Sequence, residues 1–86
     1  MRRLMAVANW KMHFTVGEAL QFVMGLNNSF TRLEKNIAEV VICPPFTALA
    51  DVGRFLAQTD LKLGAQNVFY AEQGAYTGEI SPTMLK

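Results

Sequence analysis

Short apolar runs alternate with amphipathic stretches along this chain of 86 residues. The runs at 4–10, 40–43 and 61–65 contain few polar side chains, which is typical of buried strands. Between them, the apolar residues of 16–30 and 47–57 are spaced so that they share one face of a helix. The pattern therefore predicts strand, helix, strand, helix and strand, in that order.

Capping and breaking residues mark the ends of these segments. Thr15 followed by Glu18 forms a capping-box pattern, which predicts the start of the first helix. The double proline at 44–45 ends the second strand, because proline cannot donate a hydrogen bond to a neighbouring strand. Thr47 is expected to cap the second helix. Residues 31–36 are expected to form a polar connection between the first helix and the second strand.

This alternation is the pattern of right-handed βαβ units, in which the strands form a parallel sheet. We therefore expect an α/β fold whose three strands lie side by side in chain order. Parallel sheets are normally covered on both faces or closed into a barrel. Two complete helices cover one face, so the second face and both edges of the sheet are expected to stay open.

The last six residues have the pattern of a helix start. Ser81 supplies a capping oxygen, and Pro82 occupies a position at which a helix tolerates a missing N–H. The sequence ends at Lys86, and a single turn forms few hydrogen bonds for the entropy that it loses. We therefore interpret residues 1–86 as one partial domain, with its third helix cut short, from the front of a longer protein.

The composition is that of an ordinary globular protein. A hydrophobic fraction of 51%, a charged fraction of 17% and a net charge of +1 favour neither disorder nor a nucleic-acid partner. No apolar stretch approaches the roughly 20 residues of a membrane helix. The apolar run after Arg2 and Arg3 is too short for a signal peptide, so a cytoplasmic protein is expected. The two arginines themselves are expected to be a solvated terminus. The single cysteine, Cys43, excludes an internal disulfide and a cysteine-cluster metal site, and is expected to be a buried packing residue.

Two polar side chains at the end of the first strand are candidates for chemistry. Side chains alternate along a strand, so Asn9 and Lys11 should share one face, while Trp10 is expected to pack between the sheet and the helices. Sites in parallel α/β folds are built at this end of the strands. A lysine there can balance the charge of a phosphate or an oxyanion, and an asparagine can orient it or bind the substrate. From the spacing alone, a solvated lysine that ends the strand is the simpler interpretation.

Four sequence blocks carry a resemblance to a known family. They occur in the order and approximate spacing of the N-terminal third of triosephosphate isomerases, and together they span nearly the whole chain. Any one block would be weak evidence, whereas four in register are specific. The blocks are Asn9-Trp10-Lys11-Met12, Ile42-Cys43-Pro44-Pro45-Phe46-Thr47, Gly64-Ala65-Gln66-Asn67 and Gly74-Ala75-Tyr76-Thr77-Gly78-Glu79-Ile80-Ser81.

The resemblance implies a (β/α)8 TIM barrel of about 250 residues, of which this chain would form the first three βα units. The family interconverts dihydroxyacetone phosphate and glyceraldehyde 3-phosphate by proton transfer through an enediolate, without a cofactor or a metal. By resemblance, Lys11 is the active-site lysine that offsets the negative charge, and Asn9 is the substrate-binding asparagine beside it. The family's general-base glutamate and electrophilic histidine match no residue of this chain. His13 is expected to be a structural or solvated loop residue.

The loop at 66–80 has a different role by resemblance. In the family it projects into the neighbouring subunit of a homodimer, where the residue matching Thr77 reaches the other active site and the one matching Glu79 forms an ion pair. About 15 residues is long for a βα connection, and its aromatic side chains suit an interface. A self-packed surface loop fits these features as well. Further interface positions by resemblance are Met12, Thr47 and Gln66.

Three interpretations of function follow. The first is an N-terminal piece of a dimeric triosephosphate isomerase, inactive by itself because the base and the histidine are missing. The second is a non-catalytic module that binds phosphate or a protein partner through Lys11 and the loop. The third is a fragment that docks with a complementary remainder to complete a barrel.

Overall fold

The computed structural model describes residues 3–30 and 32–86. Its elements alternate as the pattern predicts, with one additional short helix before the second strand. In the described part of the chain, none of the helices has the length and apolar character needed to cross a membrane. In chain order the elements are β1 (Leu4–Asn9), α1 (Val16–Ser29), α2 (Arg32–Ile37), β2 (Ala38–Cys43), α3 (Phe46–Leu56), β3 (Lys62–Leu63) and α4 (Pro82–Leu85).

The three strands form a parallel sheet in the order β1-β2-β3, which confirms the predicted topology. β1 and β2 pair along their whole length, with Asn9 opposite Cys43 at their carboxyl ends. β3 is shorter than the predicted run at 61–65, because only two of its residues pair with β2. One further hydrogen bond joins the Gly64 N–H to the Ile42 carbonyl at 2.9 Å. The carboxyl ends of all three strands therefore lie at one edge of the sheet.

Helices α1 and α3 form the core together with the sheet. The predicted amphipathic spacing is confirmed, because the buried residues of each helix lie four positions apart on one face. They meet β2 near its carboxyl end in a single apolar cluster. Its members include Ala19 and Val23 in α1, Ala48, Val52 and Leu56 in α3, and Ile42 in β2.

β1 lies at the edge of the sheet and stays open to solvent. Leu4, Met5 and Val7 are 69%, 62% and 58% exposed. Neighbouring residues of a strand point to opposite faces, so the exposure of both Leu4 and Met5 leaves the two sides of β1 uncovered at its start. The expectation of an open sheet edge is confirmed, and such an edge can pair with a further strand.

α1 begins with the capping box that the sequence predicts. The Glu18 N–H donates to the Thr15 hydroxyl oxygen at 3.4 Å, and the Thr15 N–H donates to the Glu18 carboxylate at 2.9 Å. The Thr15 hydroxyl also donates to this carboxylate, at 3.1 Å. The bond from the Thr15 backbone, followed by that from its side chain, holds the pKa of Glu18 below its ordinary value of 4.5.

Acidification is expected to loosen the first turn of α1. The pKa of Glu18 is lower in the folded chain than in the unfolded one, so its stabilising contribution is present above pH 4.5 and is lost as the pH falls through the folded pKa. Circular dichroism at decreasing pH would follow the loss of helix. The variant Glu18→Gln should lack this part of the acid transition, and an unchanged transition in the variant would contradict the assignment.

α2 is a helix that the sequence pattern does not predict. The polar stretch at 31–36 predicts a connection, but the backbone of Arg32–Ile37 is helical. Thr31 itself lies outside the described residues. The prediction of a connection is therefore wrong for most of this stretch.

Charged side chains from other parts of the chain bind the last turn of α2. The Arg3 guanidinium donates to the Lys35 carbonyl and, at 3.2 Å, to the Ala38 carbonyl. The Lys35 ammonium lies 3.2 Å from the Asp60 carboxylate. Arg3 stays exposed, as expected for a solvated terminus, although its guanidinium is bonded here, and Arg2 lies outside the described residues.

α3 begins one residue before its predicted cap. Its N-cap is Pro45, with φ −58° and ψ 155°, and no side chain caps the helix. The first turn closes when the Ala48 N–H donates to the Pro45 carbonyl at 3.0 Å. Since the extended Pro45 leads straight into the helix, Thr47 lies inside the first turn, and its prediction as the cap is wrong.

α4 begins as the sequence predicts. The Ser81 hydroxyl accepts a hydrogen bond from the Met84 N–H at 3.2 Å, and Pro82 is the first helical residue. Ser81 is buried, with 5% of its surface exposed. The described helix ends at Leu85 after a single turn.

Candidate functional site at the carboxyl edge of the sheet

Asn9 and Lys11 lie at the carboxyl end of β1, on the side of the sheet where all three strands end. β1 ends at Asn9, and the next N–H, that of Trp10, still donates to the Cys43 carbonyl at 3.2 Å. Lys11 follows with a φ of 56°, in the left-handed region that residues other than glycine rarely adopt. The chain therefore leaves the strand before Lys11. Strand alternation, from which a shared face with Asn9 was expected, does not set the direction of this lysine.

Hydrogen bonds on both sides hold the backbone of Lys11 in its unusual conformation. Its N–H donates to Asn9 Oδ1 at 2.9 Å, and its carbonyl accepts from Gln66 Nε2 at 2.9 Å. The same Gln66 nitrogen donates to the Cys43 carbonyl, also at 2.9 Å. A left-handed residue costs roughly 1–2 kcal/mol relative to the ordinary conformation, and these bonds offset that cost.

Asn9 and Lys11 offer hydrogen-bond donors to an anion. Because the Asn9 oxygen accepts from the Lys11 backbone, its Nδ2 group is left to donate to a ligand. Both side chains are exposed. Among the described residues, no carboxylate lies within ion-pair distance of the Lys11 ammonium. The arrangement can therefore bind a phosphate or stabilise a developing oxyanion.

An open cleft of about 490 Å³ lies beside Asn9. Its wall is a cluster of three aromatic rings, in which the Trp10 ring centroid lies 5.0 Å from that of Phe14 and 5.5 Å from that of Phe22. Phe14 has a φ of 77° and is thus a second left-handed residue in the loop. Trp10 is 8% exposed, which confirms its predicted packing role. The other residues lining the cleft are His13 and Glu18.

Cys43 is a packing residue at the end of β2. It is 7% exposed, as predicted. Gly64 packs so closely against it that a Cβ added to the glycine would lie 2.8 Å from the Cys43 sulfur. Within residues 3–30 and 32–86, no three His, Cys, Asp or Glu side chains are grouped so that they could hold a metal ion.

The sequence was compared with models of known protein families. The family model described as triosephosphate isomerase matches residues 4–86. The chain belongs to the triosephosphate isomerase family. The triosephosphate isomerase of Dehalococcoides mccartyi (strain CBDB1) is 48% identical over 86 residues, and that of Dictyoglomus turgidum is 50% identical over 88. These alignments cover the whole of this chain but 33% and 34% of the relatives, so the chain spans about a third of their length.

The fold agrees with a solved triosephosphate isomerase. The crystal structure of the enzyme from Bartonella henselae matches with a TM-score of 0.85 and 33% sequence identity, over 98% of this chain and 33% of that chain. The chain corresponds to the N-terminal third of triosephosphate isomerases. Its parallel βαβαβ segment is an incomplete part of the TIM barrel, which confirms the resemblance of the four sequence blocks.

The loop at 66–80 is partly packed on itself. The Phe69 ring centroid lies 4.5 Å from those of Tyr70 and Tyr76, and the Phe69 N–H donates to the Ile80 carbonyl at 2.7 Å. Tyr70 nevertheless keeps 84% of its surface exposed. The loop thus combines internal packing with an exposed aromatic surface, and both interpretations of it remain predictions.

The structure brings one of the predicted interface residues to Lys11. This residue is Gln66, which is half-buried and uses its amide inside the chain. Its contact with Lys11 spans 55 positions of sequence, and the only signal for it is that Gln66 follows a strand ending at the same edge. In the described residues, no hydrogen bond or ion pair joins Thr77 or Glu79 to Lys11. The remaining predicted interface residues, Met12, Thr47, Thr77 and Glu79, are exposed.

Proposed function

We propose that this chain is the N-terminal part of a triosephosphate isomerase, which interconverts dihydroxyacetone phosphate and D-glyceraldehyde 3-phosphate in glycolysis and gluconeogenesis. The observation that carries the proposal is the exposed Lys11 ammonium together with the oriented amide of Asn9 at the carboxyl edge of the sheet. This edge is where (β/α)8 barrels build their active sites.

In the proposed mechanism, Lys11 offsets the negative charge of the substrate and of the intermediate. The substrate carries a phosphate, and removal of a proton next to its carbonyl group creates an enediolate oxygen with further negative charge. A fixed ammonium stabilises that developing charge more strongly than it stabilises the neutral carbonyl, so it lowers the barrier. Asn9 donates from Nδ2 to a substrate oxygen while its own oxygen holds the Lys11 N–H.

The chain by itself is proposed to be inactive. Proton transfer also needs a general base near the substrate carbon and an acid that polarises the carbonyl. No residue of this chain matches the family's glutamate or histidine in those roles, and His13 is an exposed residue of the cleft. Neither a cofactor nor a metal takes part in the proposed reaction.

The assembled protein is proposed to be a homodimer in the cytoplasm. Exposed Thr77 and Glu79, and Met12 with 94% of its surface exposed, support an interface formed by the loop at 66–80 and the residue after Lys11. Thr47 and Gln66 complete the proposed set. The single, unpaired thiol of Cys43 suits a reducing compartment.

Assembly with the missing part tests this function. The chain would be mixed with a polypeptide comprising the remaining two thirds of the Dictyoglomus turgidum enzyme, and isomerase activity would be measured for each part and for the mixture. We expect turnover in the mixture alone. Robust turnover by the isolated chain would contradict the proposal, as would a stable complex of the two parts without activity. Phosphate binding by an ordered, isolated chain would favour the non-catalytic module instead.

A further inference from the structure

The side of β1 that faces away from β2, here called the free edge, is long and apolar. The residues of β1, Leu4–Asn9, include no charge and no proline, and in the described part of the chain they pair with β2 alone. At the other side of the sheet, β3 has two residues, of which Lys62 is charged. Short strands and lysine protect an edge from pairing, and β1 has neither protection. A further strand is therefore expected to pair along the free edge rather than along β3.

The backbone of β1 presents donors and acceptors to the free edge at alternate residues. The Trp10 N–H points towards β2, because it donates to the Cys43 carbonyl. Successive residues of a strand turn their N–H and C=O groups to opposite sides. Met5, Val7 and Asn9 therefore turn theirs away from β2. These are the three residues that a further strand can bond.

The uncovered surface of the chain is large enough for a second copy to dock. The chain exposes 6462 Å², whereas a compact protein of 9.6 kDa exposes about 5,100 Å². The excess of roughly 1,400 Å² is larger than the area that each partner buries in a standard interface, about 800 Å². Leu4, Met5 and Val7 are part of the exposed apolar surface. A second copy offers the same surface, so both chains gain from covering it.

We propose that the free edge is a self-association surface, through which two copies of the isolated chain form a dimer with antiparallel β1 strands. In an antiparallel pair, directly opposed residues exchange both of their hydrogen bonds, whereas parallel bonds are slanted to the neighbouring positions. A two-fold axis therefore suits the antiparallel arrangement. With the axis at Val7, this residue lies opposite the second copy's Val7, and Met5 lies opposite Asn9. The free edge of each copy is used once, so the assembly closes as a dimer.

The same register brings apolar side chains together beside the ladder. Leu4 comes opposite Trp10 of the other copy, and therefore reaches the aromatic wall of the cleft beside Asn9. In that wall, the rings of Phe14 and Phe22 lie 5.0 Å and 5.5 Å from that of Trp10 and keep part of their surface exposed. The proposed dimer covers these rings together with the free edge.

The cations that flank β1 lie beyond the paired residues. The register places Arg3 of one copy opposite Lys11 of the other. The Arg3 guanidinium lies 3.9 Å from the Glu39 carboxylate of its own chain, which offsets its charge. Lys11 has already left the strand direction, with a φ of 56°. The ladder therefore extends from Met5 to Asn9 without opposing two free charges within it.

Sedimentation equilibrium of the full chain tests the association. Val7→Pro removes one outward N–H at the two-fold axis and leaves the bonds to β2 in place, as proline on a free edge does. We expect a reversible dimer for the wild type, and a dimer dissociation constant at least about tenfold higher for Val7→Pro. The control Val7→Ala also shortens the side chain but keeps the N–H, so it should weaken the dimer less. Circular dichroism shows whether each variant is folded.

Nuclear magnetic resonance of a mixture of labelled and unlabelled chains tests the register on the wild type. Ala6 and Ala8 of different copies form a non-hydrogen-bonded pair, whose Cα atoms lie about 4.5 Å apart. Within one chain these residues are separated by about 6.6 Å along the strand. An isotope-filtered experiment, which records contacts between copies only, should therefore show a cross-peak between their α protons.

The outcomes decide the proposal whether or not the Val7→Pro variant folds. A dimer with the Ala6 to Ala8 cross-peak supports it. A monomeric wild type overturns it, as does a dimer without this cross-peak, which would use another surface such as the loop at 66–80. A folded Val7→Pro chain that dimerises as tightly as the wild type, or a wild type that forms larger open assemblies, also overturns it.

The proposal is independent of isomerase activity. A closed barrel has no free edge, so the remaining two thirds of the Dictyoglomus turgidum enzyme should compete with the second copy and reduce the cross-peak as activity appears. A mixture that stays inactive would contradict the proposed function, while the dimer of the chain alone would still be measured. A cross-peak that persists at full strength in an active mixture would overturn the assignment of the dimer to the free edge.

Discussion

Replacing Lys11 by methionine is expected to lower the turnover of the assembled barrel by at least about a hundredfold, the usual cost of removing one group that stabilises a developing oxyanion. Methionine keeps a similar length and apolar stem but carries no charge. Lys11 is exposed, and no carboxylate in the described residues forms an ion pair with it, so its charge is available to the enediolate of the proposed reaction. Steady-state isomerase kinetics would measure the loss.

A second exposed lysine provides the matched control. Lys62 lies in β3, away from the candidate site in sequence, and Lys62→Met removes the same charge. Its effect on kcat should be small. A comparable loss in both variants would mean that net charge, rather than the place of Lys11, governs turnover. Retention of full activity in Lys11→Met would remove this lysine from the mechanism.

Replacing Gly64 by alanine is expected to destabilise the chain by about 1–3 kcal/mol, the cost typical of overpacking. An added Cβ would lie 2.8 Å from the Cys43 sulfur and 3.2 Å from a methyl carbon of Val41. Both neighbours belong to β2, and the Gly64 N–H also bonds to that strand. The clash would therefore push β3 away from the sheet. Urea unfolding followed by circular dichroism measures the change in the free energy of unfolding.

Gly25 is a glycine at which substitution by alanine is expected to stabilise the chain. It lies in the interior of α1, and a Cβ there would meet nothing within 4 Å. Gly25→Ala should stabilise the chain by roughly 0.5–1 kcal/mol, because alanine loses less backbone entropy in a helix. If Gly64→Ala were as stable as the wild type, the close approach of β3 to Cys43 would be wrong.

Local signals in the sequence account for most of the fold. The capping box of Thr15 and Glu18 is complete within four residues, and the structure forms both of its bonds. Ser81 and Pro82 likewise start α4 through contacts inside one turn. The four-residue spacing of Ala48, Val52 and Leu56 selects one face for burial. Such features depend on neighbours along the chain, so the sequence is sufficient to predict them.

Features that depend on distant residues were not predictable. The last turn of α2 is bound by Arg3, which lies more than 30 positions away, as well as by the ion pair with Asp60. β3 pairs with one neighbouring strand, and the sequence does not show where that pairing stops. Thr47 has the chemistry of a helix cap, but the extended backbone at Pro45 starts the helix before it.

The candidate site likewise has some features that the sequence predicts and others that it does not. Asn9 ends an apolar strand and Lys11 lies just after it, so the rule that parallel strands end at one edge predicts their place. The left-handed backbone of Lys11 has no signal in the sequence, since glycine or asparagine would be expected there. The contact with Gln66 depends on how the third strand aligns with the first, and that register emerges only in the folded sheet.

Trp10, which closes one side of the cleft, gives the chain an optical probe of its own site. It is the only tryptophan in the sequence, it directly precedes Lys11, and 8% of its surface is exposed. Light absorbed selectively by tryptophan is therefore absorbed at one place in the molecule. The wavelength of its emission depends on the water around the indole, so docking of another polypeptide or entry of a ligand at the cleft can be followed without attaching a label.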